Sequence, residues 1–271
     1  MRDLGLITHN EPAAQLFTQG MVQKGGVAMS KSRGNVVGAE DMAQKYGADT
    51  GRLYTLFAAP PEKDLEWSEE SIEGSWRFLN RVYRLVERHA EAIRGLKGGS
   101  IDAATTKEKT LLRKVHQTLR RVTSDFETRW HFNSAIALIM ELTNEIYLQE
   151  PLEEGVRQEV RKELLELLTL MLAPMTPHLA EELWEMLGYA GGLWKAGWPA
   201  FDEALTREDE VEIPVQVNGR LRGKVKVPVG TSGDEVEKLA QADPGIAPHL
   251  AGKSIVKRIF VPNKLLNLVV A

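Results

Sequence analysis

The sequence predicts a mixed chain in three parts: a short mixed segment over 1–67, an α-helical bundle over 68–200 and a small α+β domain over 210–271. Three observations predict it. Apolar residues recur at helical spacing from Ile72 to Leu187. From Ile213 onward the period changes from 3.6 to 2. Ahead of the bundle, the run Met29-Ser30-Lys31-Ser32-Arg33-Gly34-Asn35 breaks all periodicity with hydroxyls, cations and a glycine. A chain of 271 residues is long enough for two or three modest domains.

In the first segment, a short apolar stretch ends at Met21-Val22, and Lys24-Gly25-Gly26 makes a turn. The basic Ser/Gly loop follows, of the kind that wraps a polyphosphate. Lysine supplies a mobile point charge, and hydroxyls and backbone N–H groups supply hydrogen bonds. When a nucleotide is activated, negative charge builds on the leaving pyrophosphate. An ammonium that meets this charge in the transition state lowers the barrier. Lys31 is the candidate for that role, with Arg33 as a second charge. The same composition also suits an ordinary polar surface loop. A short helix is predicted over 40–46, broken by Gly47. Asp49 then caps a second helix over 50–58, which Pro60-Pro61 stops.

Ser68 is the expected N-cap of the first bundle helix, with Glu69 and Glu70 favourable at its positive end. Ile72, Trp76, Leu79, Tyr83 and Val86 form its stripe. A Gly-rich linker covers 95–100. Leu112, Val115, Leu119, Val122 and Phe126 mark a second helix, and Phe132, Ile136, Ile139, Leu142 and Ile146 a third. Val156, Val160, Leu164, Leu168 and Met171 mark a fourth, ended by Pro174. Thr176 before Pro177 reads as a cap followed by an N1 proline, opening a fifth helix with Leu179, Leu183, Trp184 and Leu187. Each large side chain so buried contributes about 1.5–3 kcal/mol, enough for a self-supporting bundle.

In the last part Ile213, Val215 and Val217 alternate with polar residues, and Asn218-Gly219 signals a two-residue hairpin. The return strand is expected to place Arg220, Arg222, Lys224 and Lys226 on one face and Leu221, Val225 and Val227 on the other. A helix over 234–241 and strands over 255–261 and 265–270 complete a ββαββ order.

Composition excludes several classes. The absence of cysteine removes disulfides, thiolate metal sites and a cysteine nucleophile. Six histidines show no metal-ligand spacing, so no metal site is predicted. A packing or capping role is expected for His178. No apolar run reaches the roughly 18 residues of a membrane span, so a cytoplasmic location with no membrane partner is the expectation. Trp76, Trp130, Trp184, Trp194 and Trp198 read as core and junction anchors, and the acidic run over 62–73 as a solvated helix entry. Net charge is −4, unevenly spread: residues 211–271 carry nine Lys/Arg against five Asp/Glu, whereas 61–210 carry nineteen against twenty-eight. Any nucleic-acid contact should therefore concentrate at the C-terminus, though a basic stretch is also what a solvated strand face carries.

The loop resembles the Lys-Met-Ser-Lys-Ser signature of class I aminoacyl-tRNA synthetases. Downstream stand Tyr46-Gly47-Ala48-Asp49-Thr50-Gly51-Arg52-Leu53, Asp64-Leu65-Glu66-Trp67-Ser68, Trp76-Arg77-Phe78-Leu79-Asn80-Arg81, Pro174-Met175-Thr176-Pro177-His178, Glu181-Glu182-Leu183-Trp184 and Trp198-Pro199. This ordered set is similar to the branched-aliphatic subgroup of that class. Val215-Gln216-Val217-Asn218-Gly219 and the ending from Val261 to Val270 resemble the C-terminal domain of bacterial leucyl-tRNA synthetases. The likeness covers nearly the whole chain and is weakest around 95–104 and 150–155.

The resemblance implies that residues 1–67 are the end of a class I nucleotide-binding catalytic domain. Residues 68–200 would be an anticodon-binding-type bundle, and 210–271 a domain that docks on tRNA. It implies that Lys31 contacts ATP phosphates during leucyl-adenylate formation, with Met29, Ser30 and Ser32 as its loop partners. ATP would be a substrate accompanied by Mg2+, whose site is expected outside this chain. Arg220, Arg222, Lys224, Lys226, Lys257, Arg258 and Lys264 become candidates for tRNA phosphate contacts. Two departures stand out. The first lysine of the signature is Ala28, and no His-Ile-Gly-His-like motif occurs. Residues 1–7 look like the tail of a helix. The expectation is therefore a fragment or split subunit, inactive alone, that needs an N-terminal catalytic half in cis or trans. A catalytically silent tRNA-binding module, or part of a sister valyl or isoleucyl enzyme, are the alternatives.

Overall fold

The structure, a computed structural model, describes residues 1–11, 13, 15–96, 103–208 and 210–271. Most of the Gly-rich linker predicted over 95–100 lies outside the described residues. The chain divides into two compact units, Met1–Thr206 and Arg207–Ala271.

In the first unit, residues 1–7 form turns closed by Gly5 N–H to the Arg2 carbonyl, rather than the end of a helix. Strand β1 (Val22–Gln23) pairs in parallel with β2 (Leu65–Glu66). Between them lie the Ser/Lys loop and helices α1 (Ala39–Tyr46) and α2 (Ala48–Phe57). Gly47 separates the two helices with φ at 87°, a conformation that favours glycine, and so breaks the first where the sequence predicts. Asp49 does not cap its own helix. Gly47 holds the N-cap position, and the Asp49 carboxylate reaches out to another helix.

Five helices follow: α3 (Glu69–Ile93), α4 (Thr106–Ser124), α5 (Phe132–Leu148), α6 (Gln158–Leu172) and α7 (Pro177–Met186). Ser68 caps α3 as expected, its Oγ accepting from Ser71 N–H. The stripes converge on one core built from Leu79, Val86, Leu112, Leu119, Ile139, Leu142, Leu164 and Leu168, among others. Helix α6 is buried on nearly every side, and its polar Arg161, Lys162, Glu163, Glu166 and Thr169 are buried along with its leucines. Three expectations are corrected. Trp76 lies on the exposed rim of α3, and Phe78, Val82 and Leu85 take the core positions. Phe126 falls beyond the end of α4, in a single wide turn over Asp125–Arg129. Thr176 occupies the N-cap position of α7, but its hydroxyl donates back to the Leu172 carbonyl and leaves the helix amides to another acceptor.

The second unit is a four-stranded sheet in the order β4-β3-β6-β5, built from β3 (Glu210–Val217), β4 (Arg220–Pro228), β5 (Ile255–Val261) and β6 (Leu265–Val270). Strands β3 and β6 run parallel, and the two outer pairings are antiparallel. Helix α8 (Gly233–Ala242) opens with a Ser232–Glu235 capping box. A second short helix, α9 (Ala247–Leu250), enters from an Asp243 turn whose carboxylate accepts from Gly245 and Ile246 N–H. The order is therefore ββααββ. Val236, Ala240 and Ile246 cover a sheet face of Ile213, Val215, Val225, Val227, Leu266 and Leu268. At Gly223 a Cβ would come within 2.7 Å of Ile246 Cγ1, so glycine allows that close approach.

The hairpin turn forms where the sequence places it. Asn218 and Gly219 both have positive φ, at 50° and 76°. Asn218 also ties the turn to β6, accepting from Val270 N–H at 2.9 Å and donating to its carbonyl at 3.2 Å.

Candidate functional site

The Ser/Lys loop is presented on a hairpin stem. Gly25 and Gly26 form its turn, Lys24 N–H donates to the Val27 carbonyl, and Gln23 bridges to Ala28. Met29 N–H then donates to the Val22 carbonyl at 3.1 Å. Lys31–Arg33 make one turn of 3-10 helix, closed by Arg33 N–H to the Ser30 carbonyl and ended by Gly34 in the left-handed region. Asn35 Oδ1 accepts from Ser30 N–H at 2.9 Å, and the Ser30 and Ser32 hydroxyls meet at 3.2 Å. The structure thus brings Ser30, Lys31 and Ser32 into one exposed turn, with Met29 half-buried at its base. Lys31 has no carboxylate partner among the described residues. A free ammonium beside two hydroxyls on a fixed stem can receive an anionic ligand.

Sequence reasoning missed what holds the stem. Asp64 and Glu66 belong to the acidic run read as a solvated helix entry. Instead their carboxylates accept hydrogen bonds from residues 21–26. The signal was present: Asp-x-Glu alternation places both carboxylates on one side of a strand.

The seven C-terminal cations do not act as one set. Lys224 and Lys226 stay on the face opposite the helices, where Lys224 pairs with Glu212 at 3.2 Å and Lys226 with Glu210 at 2.6 Å. A β-bulge between Val215 and Gln216 then changes the parity of β4. Beyond it Leu221 pairs with Gln216 and Arg220 with Val217. The four-cation alternation is therefore broken, and Leu221 is 58% exposed rather than core. Arg258 sits in register with Leu268, on the helix side, and is bonded to Asp234 and Glu237 of α8. Those carboxylates hold its guanidinium above the usual arginine range. Arg220, Arg222, Lys257 and Lys264 have no ion-pair partner among the described residues.

The aromatic and histidine candidates also sort by burial. Trp184 is buried and stacks on Tyr189 at 4.0 Å, as an anchor should. Trp194 is 77% exposed, with Lys195 Nζ 5.1 Å from its ring, and is no core residue. Trp130 and Trp198 are rim residues, the latter donating to Thr123 Oγ1. His116 Nδ1 accepts from Asp202 N–H, so its Nε2 carries the proton and donates to Glu163 at 3.1 Å. Among the described residues no His/Asp/Glu group could hold a metal ion, and no helix is long and apolar enough to cross a membrane.

Two family models match this chain. "tRNA synthetases class I (I, L, M and V)" covers residues 5–68, and "Anticodon-binding domain of tRNA ligase" covers 108–238. A loop of this kind on a segment that matches the class I model, followed by a bundle that matches the anticodon-binding model, is an order similar to that of class I tRNA synthetases. Among curated relatives, the leucine–tRNA ligase of Solibacter usitatus is 48% identical over 270 residues. That of Geotalea uraniireducens is 50% identical over 272. Each is matched by 100% of this chain. Along its whole length the chain is similar to the C-terminal part of these leucine–tRNA ligases. It spans about a third of the length of those relatives, 32% and 33%. Among solved structures, the LeuRS–tRNA–LeuAMS ternary complex of Agrobacterium radiobacter K84 agnB2 matches with a TM-score of 0.85 at 32% identity. The match covers 100% of this chain and 35% of that one. The methionyl-tRNA synthetase of Mycobacterium tuberculosis shares the fold alone, with a TM-score of 0.54 at 23% identity, over 64% of this chain and 38% of that one.

Proposed function

We propose that this chain is the C-terminal part of an ATP-dependent leucine–tRNA ligase, supplying the ATP phosphate-contacting loop and the tRNA-docking surfaces. What carries the reading is the match of the entire chain to leucine–tRNA ligases, at up to 50% identity over 272 residues. The relative solved with tRNA supports tRNA as the partner here. The division that follows is a catalytic-domain end over 1–67, an anticodon-binding-type bundle over 68–200 and a tRNA-docking domain over 210–271. The protein works in the cytoplasm.

In the proposed reaction the leucine carboxylate attacks the α-phosphorus of ATP and pyrophosphate leaves. Lys31 meets the charge growing on the β- and γ-phosphates, and Ser30 and Ser32 donate hydrogen bonds to phosphate oxygens. With Ala28 at the position of the signature's first lysine, Lys31 and Arg33 carry the loop's positive charge. Mg2+ would accompany ATP, but the carboxylates that reach the loop's stem, Asp64 and Glu66, are engaged with amides of the stem and do not fit as its ligands. The leucine pocket and adenine site belong to an N-terminal catalytic portion, in cis or trans.

The test is leucine-dependent ATP–pyrophosphate exchange. The chain alone should show none, and adding the catalytic portion should restore it. Exchange from the chain alone overturns the reading.

A further inference from the structure

The stem of the Ser/Lys loop is held from one side by two carboxylates, Glu66 on β2 and Asp64 just ahead of it. Asp64 Oδ1 accepts from Met21 N–H at 2.8 Å, and its Oδ2 accepts from Gln23 Nε2 at 2.6 Å. Glu66 Oε1 accepts from Gly25 N–H at 2.6 Å and from Gly26 N–H at 3.3 Å. Both glycines are left-handed, with φ at 67° and 73°, as the central residues of a primed hairpin turn must be. Strand β2 is itself fixed from behind. The buried Tyr54 of α2 donates to the Glu66 carbonyl at 3.1 Å and accepts from Ser68 N–H at 3.0 Å. A line of hydrogen bonds therefore runs from α2 through β2 to the stem. Beyond the stem, among the described residues, the loop's side-chain ties are its own Ser30, Ser32 and Asn35 contacts.

We infer that Asp64 and Glu66 are positioning residues for Lys31, clamping the hairpin so that its ammonium is delivered to one place. The inference rests on the reading of Lys31 as an ATP-contacting residue. Hydrogen bonds from amides to a carboxylate are roughly twice as strong as neutral ones. A loop whose base is fixed in advance loses less freedom when its ligand binds, and that saving appears in the rate of the chemical step. Both carboxylates act on the stem and not on Lys31 itself.

Trypsin reads the loop directly, because it cuts after Lys31 and Arg33 and needs no ATP to do so. Glu66→Ala should raise the cleavage rate at these two bonds by roughly tenfold, in proportion to the opened population. Glu66→Gln keeps an acceptor oxygen and should recover most of the protection. Gly25→Ala leaves both carboxylates in place but strains the turn, and should open the loop as Glu66→Ala does. An unchanged far-UV spectrum and urea midpoint identify the variants that fold. In the ligase completed with its catalytic portion, Glu66→Ala should lower kcat for pyrophosphate exchange with the KM for leucine unchanged. Unchanged cleavage in both Glu66→Ala and Gly25→Ala overturns the proposal, as does faster cleavage with an unchanged kcat. A separate outcome bears on the reading beneath it. If Lys31→Ala leaves exchange intact, the ATP role of Lys31 fails, whatever the cleavage rates report about the clamp.

Discussion

Asp49, in the first turn of α2, caps α7: its carboxylate accepts from Leu179 N–H at 2.6 Å and meets His178 Nδ1 at 2.8 Å. One turn further along α2, the Arg52 guanidinium donates to the Met175 and Pro174 carbonyls at 3.1 and 3.0 Å. One face of α2 thus satisfies two carbonyls of the link between α6 and α7 and one orphan amide at the start of α7. The anion lies at the positive helix end and the cation beyond the negative one, as the helix dipoles favour. The segment that follows the Ser/Lys loop is therefore bonded directly to the bundle.

Removing either partner should loosen this joint. Asp49→Ala should cost about 0.5–2 kcal/mol, the range for a lost helix cap, and Arg52→Ala a similar amount. The pair should be less than additive because both act on one joint. His178→Ala, at an exposed side chain, should change stability by less than about 0.5 kcal/mol. Urea unfolding followed by tryptophan fluorescence checks all four values.

Glu108 gives the bundle a pH dependence. Burial pushes its carboxyl up, but Arg157 and the Ala104 amide outweigh that and hold it at about 2, against 4.5 for the free group. The contacts are Arg157 N–H at 2.8 Å, Nε at 2.9 Å and Nη2 at 3.1 Å, with Ala104 N–H at 2.7 Å. Because the folded value lies below the unfolded one, the stabilisation is full above pH 4.5 and lost as pH falls through 2. It amounts to about 3 kcal/mol. Urea midpoints measured from pH 6 to pH 2 should fall for the native chain and show a shallower fall for Glu108→Gln.

Lys162 is buried beneath Tyr189, whose ring lies 4.2 Å from Nζ, and donates to the Leu187 carbonyl. Glu166, one turn away, pairs with it at 3.5 Å and accepts from the Tyr189 hydroxyl. Burial lowers the lysine and raises the glutamate. Cutting one partner leaves an uncompensated group, so Lys162→Ala should cost about 3–5 kcal/mol. Lys162→Met combined with Glu166→Gln keeps the volume without the charges and should cost much less. Thermal or urea unfolding separates the two cases.

The C-terminal cations should divide in tRNA binding according to their partners. Replacing Arg222 or Lys257, both without a carboxylate partner among the described residues, should reduce the slope of log K against log salt by roughly 0.7–0.9 each. Arg258→Ala should leave that slope unchanged and instead lower the stability of the C-terminal unit, because Asp234 and Glu237 lose their partner. Filter binding across a salt series measures the first effect, and urea unfolding the second.

Much of this was legible in the sequence. The Ser68 cap and the Asn218-Gly219 turn depend on neighbours a few residues away and formed as read, and the apolar stripes converged on one core apart from Trp76 and Phe126. What escaped the reading depended on partners distant in sequence. Nothing near Asp49 shows that its acceptor capacity goes to Leu179, 130 residues on. The β4 bulge is invisible to a period-2 count, so the count kept Leu221 inside and four cations in line. Asp64 and Glu66 looked solvated because their Asp-x-Glu spacing puts both on one side of a strand but says nothing of their partners, which lie far earlier in the chain. The loop was conspicuous from its residue types, whereas the clamp beneath it required coordinates.

The most direct test of the central claim is leucine-dependent ATP–pyrophosphate exchange by this chain joined to a catalytic N-terminal portion, with Lys31 intact or replaced by alanine. The account predicts no exchange from the chain alone, restored exchange from the joined protein, and a loss in kcat of about 100-fold or more in Lys31→Ala. Exchange at full rate in the joined Lys31→Ala protein, or any leucine-dependent exchange by the chain alone, contradicts it.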